Sequence, residues 1–422
     1  MKIFPKGLER TRLACYSTFF TSASVFCVPP LLFVTFHELY GISYTLLGTL
    51  IVANFFTQLL VDLLCTMLAR HHHIERVLRF VPFITTLGMA IYALVPFLFP
   101  KIAYGGLLLG TVIFSIAAGL SEVLLSPTVA AIPSENPQRD MSLLHSIYGF
   151  GVFAMVLLGT SLLSLFGAER WYVVMLLLSA LPLLTALLFA FSPIPEIQIG
   201  GEAEESGEKN RRRTVGVALC FGCIFLGSCA ENTMNNWISS YIESALGIDK
   251  LLGDIFGVAF FAILLAMARV AYAKFGKSIG PVLLFGMIGS AACYLIAGLA
   301  PGTALPFIAC ILTGLFSSML WPGTLILLEE RVPNAGVAAF ALMAAAGDSG
   351  ASLAPQLAGV IVDAVSAAPF AAELSASLSL SPEALGLRAA MLASALFPLL
   401  GAILVFFALR YFRKTENIPS VK

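Results

Sequence analysis

The sequence predicts an all-α, polytopic membrane protein whose twelve transmembrane helices form two pseudo-symmetric six-helix halves. Three observations lead to this prediction. Hydrophobic residues make up 59% of the 422 residues and charged residues only 11%, whereas a soluble domain carries about 25%. The apolar runs are far longer than the alternating segments of about 10 residues that build a membrane β-barrel. A single strongly polar stretch divides the chain into two parts with six apolar runs each.

Each predicted span is an apolar run of about 20 residues or more, the length a helix needs to cross the hydrocarbon core. The first six spans are 11–37, 43–69, 78–99, 102–131, 138–166 and 170–191. The second six are 214–245, 250–276, 279–300, 303–330, 335–365 and 386–413. The stretch between them, SPIPEIQIGGEAEESGEKNRRR, is typical of a solvated linker. We therefore predict an N-terminal half over 1–191, a cytoplasmic linker over 192–213 and a C-terminal half over 214–422.

The basic residues indicate how the chain is oriented. If both termini are cytoplasmic, nineteen of the 24 Lys and Arg residues fall on the cytoplasmic side. Four fall on the other side, and Arg269 lies within a span. Cytoplasmic loops of membrane proteins carry such an excess of positive charge. The asymmetry predicts a multi-pass protein of the cell (inner) membrane with both termini in the cytoplasm.

The two halves resemble each other in sequence. The segment FHELYGISYTLLGTLIVANFF of the first half is similar to IESALGIDKLLGDIFGVAFFA of the second. Gly41 corresponds to Gly247, and both lie between the first and second spans of their half. A duplicated six-span unit is typical of transporters whose substrate site lies between the repeats near the midplane.

The composition also indicates which partners to expect. Lys and Arg (24) balance Asp and Glu (24), so no basic excess is present to neutralise a nucleic acid. The eight cysteines lie in apolar stretches, and we interpret them as small buried hydrophobes. We interpret the run 71–75, with three histidines and a glutamate, as a polar loop and not as a metal site. No nucleophile and base stand out as a pair, so we expect the protein not to be an enzyme. We also expect a monomer, with the coupling proton in place of any other cofactor.

Four acidic residues lie well inside predicted spans, where ionisable groups are costly and indicate function. Each belongs to a polar stripe at helical spacing, which predicts a face turned to a cavity and not to lipid. The stripes are Asn54, Gln58, Asp62 and Thr66; Ser115, Gly119, Glu122 and Ser126; Ser228, Glu231, Asn235 and Ser239; and Asp348, Ser352 and Gln356. For each acid, an interhelical hydrogen bond that only holds the bundle together is the alternative.

We expect proton coupling at three residues: Glu122, Asp62 and His145. Burial disfavours the charged form of a carboxyl group, so such a group can take up and release a proton during transport. Glu122 fits this role best, because it lies deep in its span and the span contains no Lys or Arg. Asp62 lies nearer the cytoplasmic end and could belong to a gate. His145, at the start of span 5, is either a structural histidine or a proton relay.

We expect the substrate to contact polar and aromatic residues of the same regions. They are Asn54, Gln58, Tyr148, Glu231, Asn235, Asn236, Trp237, Trp321 and Asp348. Each of the two tryptophans either packs in the core or at the membrane interface, or stacks on the apolar face of a sugar.

Arg269 is the only base well inside a predicted span and needs an acidic partner. At its depth the candidates are Asp140, Glu329 and Glu330. We hypothesise a gating ion pair that breaks when the protein opens inward.

Twelve spans in two halves, a central loop and cytoplasmic termini resemble the major facilitator superfamily. Within it, GLSEVLLSPTVAAIP on span 4, LLHSIYGFG on span 5 and GDSGASLAP on span 11 resemble the fucose permease-like sugar:proton symporters. This resemblance implies the major facilitator fold and a proton- and substrate-linked role for Glu122. The span 7 block CAENTMNNWISSYIESALGI is similar to the substrate-facing segment of that group, which implicates Glu231, Asn235 and Trp237.

The sequence therefore predicts a secondary active transporter that takes up a sugar or a similar polar small molecule together with protons. A proton-driven exporter of small organic or drug-like compounds is the alternative within transport, since the 33 Phe and 12 Met residues could line a promiscuous cavity. A membrane sensor or scaffold is a third class. It is disfavoured because the linker and tails are too short for an output domain.

Overall fold

The computed structural model describes residues 7–68, 74–134, 137–195, 211–332 and 336–416. Within these ranges the ordered elements are helices, and no strand is present. Among the described residues, ten helices are long and apolar enough to cross a membrane, and the number reaches twelve if each of two bent helix pairs counts as one span. The predicted all-α, polytopic fold class is confirmed. Most of the predicted linker, residues 196–210, lies outside the described residues.

The helices follow the predicted spans closely. Those of the first half are α1 (Leu8–Leu31), α2 (Phe33–Tyr40), α3 (Tyr44–Leu68), α4 (Val81–Leu98), α5 (Ala103–Ala130), α6 (Pro137–Phe166) and α7 (Trp171–Ala190). Those that follow are α8 (Arg211–Ser240), α9 (Lys250–Gly253), α10 (Ala259–Phe275), α11 (Ile279–Leu299), α12 (Ala304–Ser317), α13 (Pro322–Arg331), α14 (Gly336–Ser366), α15 (Ala371–Leu378), α16 (Pro382–Ser394) and α17 (Leu396–Glu416). Short 3₁₀ turns precede α4, α5 and α7, and π-helical segments cover Tyr241–Ala245 and Asp254–Val258.

The chain divides into two compact units. The first comprises Met1–Gly201 together with Lys250–Ile255, and the second comprises Glu202–Asp249 and Phe256–Lys422. The short segment from Lys250 to Ile255 therefore packs with the first unit. The π-helical segment Asp254–Val258 contains the point at which the chain passes to the second unit. The predicted boundaries at 191 and 214 stay a prediction.

In the first unit, glycines let helix backbones approach closely. A Cβ on Gly151 of α6 would lie 2.5 Å from the carbonyl oxygen of Phe20 on α1. A Cβ on Gly88 of α4 would lie 2.5 Å from the backbone nitrogen of Phe114 on α5. Small residues at such crossings are the usual means of helix association in a bilayer, where no hydrophobic effect drives helices together.

The second unit uses the same device. A Cβ on Gly350 of α14 would collide with the carbonyl oxygen of Phe225 on α8, and one on Gly314 of α12 would collide with that of Phe261 on α10. Gly350 in the second unit thus has the local environment that Gly151 has in the first, a helix glycine against a phenylalanine carbonyl.

The predicted sequence repeat has a counterpart in backbone conformation. Gly41, which ends α2, and Gly247, which follows the π-helical segment Tyr241–Ala245, both have φ of +63°. Glycine enters this left-handed region without the steric cost that a Cβ brings. In each half this conformation occurs between the first and second predicted spans.

Two predicted spans are interrupted at prolines. Predicted span 1 is the pair α1 and α2, bent by 49° just after Pro29 and Pro30. Predicted span 10 consists of α12 and α13, which are joined by the hydrogen-bonded turn 318–321 just before Pro322. Proline has no N–H and its ring crowds the preceding turn, so a helix bends or breaks there.

All eight cysteines are buried and none forms a disulfide. Their interpretation as small buried hydrophobes is therefore confirmed. Cys15, for example, packs in the first unit's core against Ala117 and Leu124.

Candidate functional site

The second unit contains an ion pair inside predicted spans. Nη2 of Arg269 on α10 lies 3.0 Å from Oε1 and 3.3 Å from Oε2 of Glu231 on α8. The Arg269 side chain is 40% exposed and that of Glu231 is 17% exposed. Because a guanidinium group that faces lipid is costly, this degree of exposure favours a polar cavity on that side of the pair.

A backbone carbonyl of the broken span 10 anchors the same arginine. Nε of Arg269 donates to the carbonyl oxygen of Ser318 at 2.8 Å. In an unbroken helix this oxygen would accept from the N–H four residues later, and that residue is Pro322. The proline leaves the carbonyl unsatisfied within a span, where a lost hydrogen bond is costly, and Arg269 supplies the missing donor.

This arrangement corrects the predicted partner of Arg269. The partner is Glu231, and not Asp140, Glu329 or Glu330. Asp140 instead lies 3.5 Å from Arg12. Depth along the helices does not account for the length of the arginine side chain, which reaches Glu231 on α8. The hypothesis that Arg269 gates the transporter stays a prediction.

The other predicted substrate residues of α8 differ in exposure. Asn235, one turn after Glu231, is half-buried. Asn236 is 5% exposed and its Nδ2 donates to the carbonyl oxygen of Asn232 at 2.8 Å. Trp237 is 1% exposed, and its Nε1 donates to the carbonyl oxygen of Pro355 on α14 at 2.9 Å. These contacts favour the packing alternative for Trp237, whose ring is covered by protein.

Trp321 and Asp348 lie where α14 meets the broken span. The Trp321 ring is half-buried and lies against Gly347, which leaves no room for a Cβ. The carbonyl oxygen of Gly347 accepts from Ser228 Oγ of α8 at 2.6 Å. Asp348 follows directly and is also half-buried. The close approach of Gly347 therefore brings α14 against Trp321, a residue of the turn that holds Arg269.

In the first unit, Asn54 and Gln58 of α3 form a buried network. Oδ1 of Asn54 accepts from Nε2 of Gln58 at 2.8 Å and from Oγ of Ser115 on α5 at 2.7 Å. Asn54 is 9% and Gln58 is 3% exposed. These contacts favour the interhelical alternative, in which the amides join α3 to α5, although the predicted substrate role stays a prediction.

One turn further along the same pair of helices lie two acids. A Cβ on Gly119 of α5 would lie 3.0 Å from Val61 on α3, so the helices are in contact at this level. Asp62 is half-buried, and Glu122 is exposed and acts on Asp62 electrostatically. Among the side chains that the structure describes, no cation lies within salt-bridge distance of Glu122. Glu122 is therefore a carboxyl group in a span with a second acid, Asp62, in its neighbourhood.

Tyr148 of α6 is part of an aromatic cluster of the first unit. Its ring centroid lies 5.4 Å from that of Phe19 and 6.0 Å from that of Phe26, both on α1. Tyr148 is half-buried. The side chain of His145, one turn earlier on α6, lies outside the described residues.

The structure also contains a buried acid that the sequence analysis passed over. Asp254 is 1% exposed, and its Oδ2 accepts from Thr160 Oγ1 of α6 at 3.1 Å. Lys250 Nζ lies 3.4 Å from the same oxygen. The signal was present, because Lys250 and Asp254 are spaced at i and i+4. Their position at the start of a predicted span made them look like ordinary helix-end charges.

The chain matches a known family over most of its length. Residues 14–355 match the family model described as Major Facilitator Superfamily. No curated protein matches the chain.

Several solved structures share the fold at low sequence identity. A bacterial homologue of the human lysosomal transporter Spinster, inward-facing and unoccupied, is 16% identical with a TM-score of 0.72, covering 97% of this chain and 99% of that chain. A D-xylose–proton symporter is 16% identical with a TM-score of 0.71, covering 93% and 97%. A variant of the E. coli fucose:proton symporter is 17% identical with a TM-score of 0.56, covering 96% and 99%. At these identities the likeness is one of fold.

Proposed function

Since the chain belongs to the major facilitator superfamily and is a transporter of the secondary type, we propose that it couples proton entry to the uptake of a sugar or a similar polar small molecule. Alternating access between two six-helix halves carries the substrate across. The fucose permease-like motifs on spans 4, 5 and 11 support the choice of a sugar.

The observation that carries proton coupling is the environment of Glu122. This carboxyl group lies within a span, is exposed, has a second acid nearby and has no cation within salt-bridge distance among the described residues. Protonation removes a charge and so lowers the cost of moving this surface between accessible and occluded states.

Glu231 is the weaker candidate for the coupling proton. Its carboxylate is bound through both oxygens to Arg269, so proton uptake there would disrupt an existing ion pair. We therefore assign the proton to Glu122 and polar substrate contacts to the region around Glu231. Asp62 and His145 remain further candidates for the proton route.

The test uses the full-length protein in liposomes with an alkaline interior and a panel of labelled sugars. The wild type is expected to accumulate one or more sugars only when the pH gradient is present. Glu122→Gln is expected to lower this accumulation at least about tenfold, because glutamine cannot release a proton. It should retain sugar exchange without a gradient, because exchange needs no net proton movement.

Glu329→Gln is the matched control, since Glu329 is an exposed acid on α13, and it should behave as wild type. Undiminished accumulation by Glu122→Gln would contradict the coupling role. If the protein transports no sugar but extrudes drug-like compounds when a proton gradient is present, the exporter alternative is correct and the sugar-uptake proposal is wrong.

We also propose the setting in which the protein acts. The excess of Lys and Arg on one side supports a location in the cell (inner) membrane with both termini cytoplasmic. We propose that the monomer is the transporting unit.

A further inference from the structure

The guanidinium group of Arg269 is held on one side and open on the other. Nε binds the Ser318 carbonyl oxygen, and Nη2 binds both oxygens of Glu231. Within the described part of the chain, no residue accepts a hydrogen bond from Nη1. Two anchors thus fix the plane of the group and, among the described residues, leave the Nη1 edge without a hydrogen-bond acceptor, on a side chain that is 40% exposed.

The neighbouring carboxylate of Glu231 can accept further hydrogen bonds. Each Glu231 oxygen is engaged by the same nitrogen, Nη2, and keeps lone-pair capacity for a further donor. The site therefore offers hydrogen-bond donors from Nη1 and acceptors from Glu231 side by side. Half-buried Asn235 lies one turn further along α8.

We propose that Glu231 and Arg269 together form a specificity-determining subsite for two adjacent hydroxyl groups of a neutral sugar. This inference rests on the proposed function and names the groups that read the substrate. One hydroxyl accepts from Nη1 of Arg269, and its neighbour donates to the carboxylate of Glu231. Arg269 is thereby a substrate-binding residue in addition to any part in gating.

The charge of the pair selects a neutral ligand. Glu231 already compensates the guanidinium group, so an acidic substrate would place two anions on one cation away from bulk water. A cationic substrate would face the uncovered edge of Arg269. A hydroxyl group both donates and accepts, so a vicinal diol satisfies both partners without adding charge.

The broken span adds the third element of the subsite. Pro322 frees the Ser318 carbonyl that orients Arg269, and the half-buried Trp321 ring lies in the same turn. An aromatic face near polar donors and acceptors suits a sugar ring, whose C–H face stacks on it.

The test is a competition experiment on proteoliposomes with labelled D-glucose, D-galactose and D-mannose in counterflow. The best hexose is competed by its own single-deoxy analogues and by its uronic acid. Two neighbouring deoxy positions should each weaken competition about 10- to 100-fold, the range for a lost hydrogen bond to a charged group. The uronic acid should compete at least about tenfold less well than the parent sugar.

Variants then identify which residue reads which hydroxyl. In Arg269→Gln the penalty at one deoxy position should disappear, and in Glu231→Gln the penalty at the adjacent position should disappear. A residue that only supports the fold would weaken all sugars equally and leave the profile unchanged, because its effect adds to that of the missing hydroxyl. Arg410→Gln and Glu330→Gln, exposed residues of the same unit, should retain the wild-type profile.

Each result decides the inference. A wild-type profile with no pair of sensitive neighbouring positions would overturn it, as would a uronic acid that competes as well as its parent, and neither result requires a variant to fold. If none of the three hexoses shows counterflow, the inference is also overturned. If the protein nevertheless takes up another polar solute when a proton gradient is present, the proposed function still stands. Position-dependent counterflow without any effect of a pH gradient would support the subsite and refute proton coupling.

Discussion

The two units share a packing scheme but carry different charges in the polar stripes of their spans. Gly151 in the first unit and Gly350 in the second both place a helix against a phenylalanine carbonyl. Yet the first unit places Glu122 beside another acid, whereas the second pairs Glu231 with Arg269. A duplicated fold can therefore keep the same steric contacts in both units while each unit carries a different arrangement of charged residues. We infer that the acid pair responds to protons and that the ion pair presents fixed donors and acceptors.

The largest expected difference between the units concerns loss of a charge. Arg269→Gln leaves the Glu231 carboxylate within a span without its cation, and we expect the free energy of unfolding to fall by about 2–3 kcal/mol. This is less than the ~3–5 kcal/mol of a fully buried pair, because Arg269 is half-exposed. Glu122→Gln should leave stability unchanged or raise it slightly, since it removes repulsion with Asp62. Unfolding in mixed micelles titrated with a denaturing detergent measures both.

The double variant Glu231→Gln with Arg269→Gln is the control for this prediction. It removes both charges and should recover most of the stability that Arg269→Gln loses. Equal losses in the single and double variants would mean that the ion pair has no part in stability, and the contrast between the units would then be one of sequence only.

A smaller effect tests whether the packing is in fact shared. Gly151→Ala and Gly350→Ala each force a Cβ against a backbone carbonyl oxygen, and we expect each to cost about 1–3 kcal/mol. Gly105→Ala is the control, because nothing lies within 4 Å of its Cβ position. It should stabilise α5 by about 0.5–1 kcal/mol through helix propensity. A large cost in one unit alone would break the structural part of the comparison.

The smallest effect concerns the buried amides of the first unit. Asn54→Ala removes the acceptor shared by Gln58 and Ser115, and we expect a loss of about 1–2 kcal/mol in the free energy of unfolding. If the network only joins α3 to α5, the apparent KM for the transported sugar should stay within about twofold of wild type. A much larger KM with unchanged stability would restore the substrate role predicted for Asn54.

The fold was predictable because its dominant signal is local. Apolar runs long enough to cross a bilayer must be helical, since a lipid environment leaves the backbone no other partner. The predicted spans accordingly coincide with the observed helices within a few residues, and Gly41 and Gly247 identified a repeat that has a conformational counterpart. The break in span 10 was readable in principle from Pro322, but a single proline also occurs in continuous helices such as α7.

The candidate site was predictable only in part. Helical spacing identified Glu231 and Arg269 as costly residues within spans, and the argument that Arg269 needs an acidic partner was correct. The partner itself was wrong, because pairing across helices depends on tilt and on side-chain reach, which periodicity does not contain. Spacing equally could not separate Asn54 and Gln58, which satisfy each other, from Glu122, which is exposed.

By itself, then, the amino-acid sequence determined the approximate limits of the membrane helices, the polar stripes and the acids within them, because burial in lipid constrains every residue locally. The tertiary structure decided which polar groups already have protein partners and which remain available. That choice depends on contacts between residues far apart in the chain. The clearest example of such a contact is the Ser318 carbonyl, which Pro322 leaves without its helical donor and which Arg269 binds.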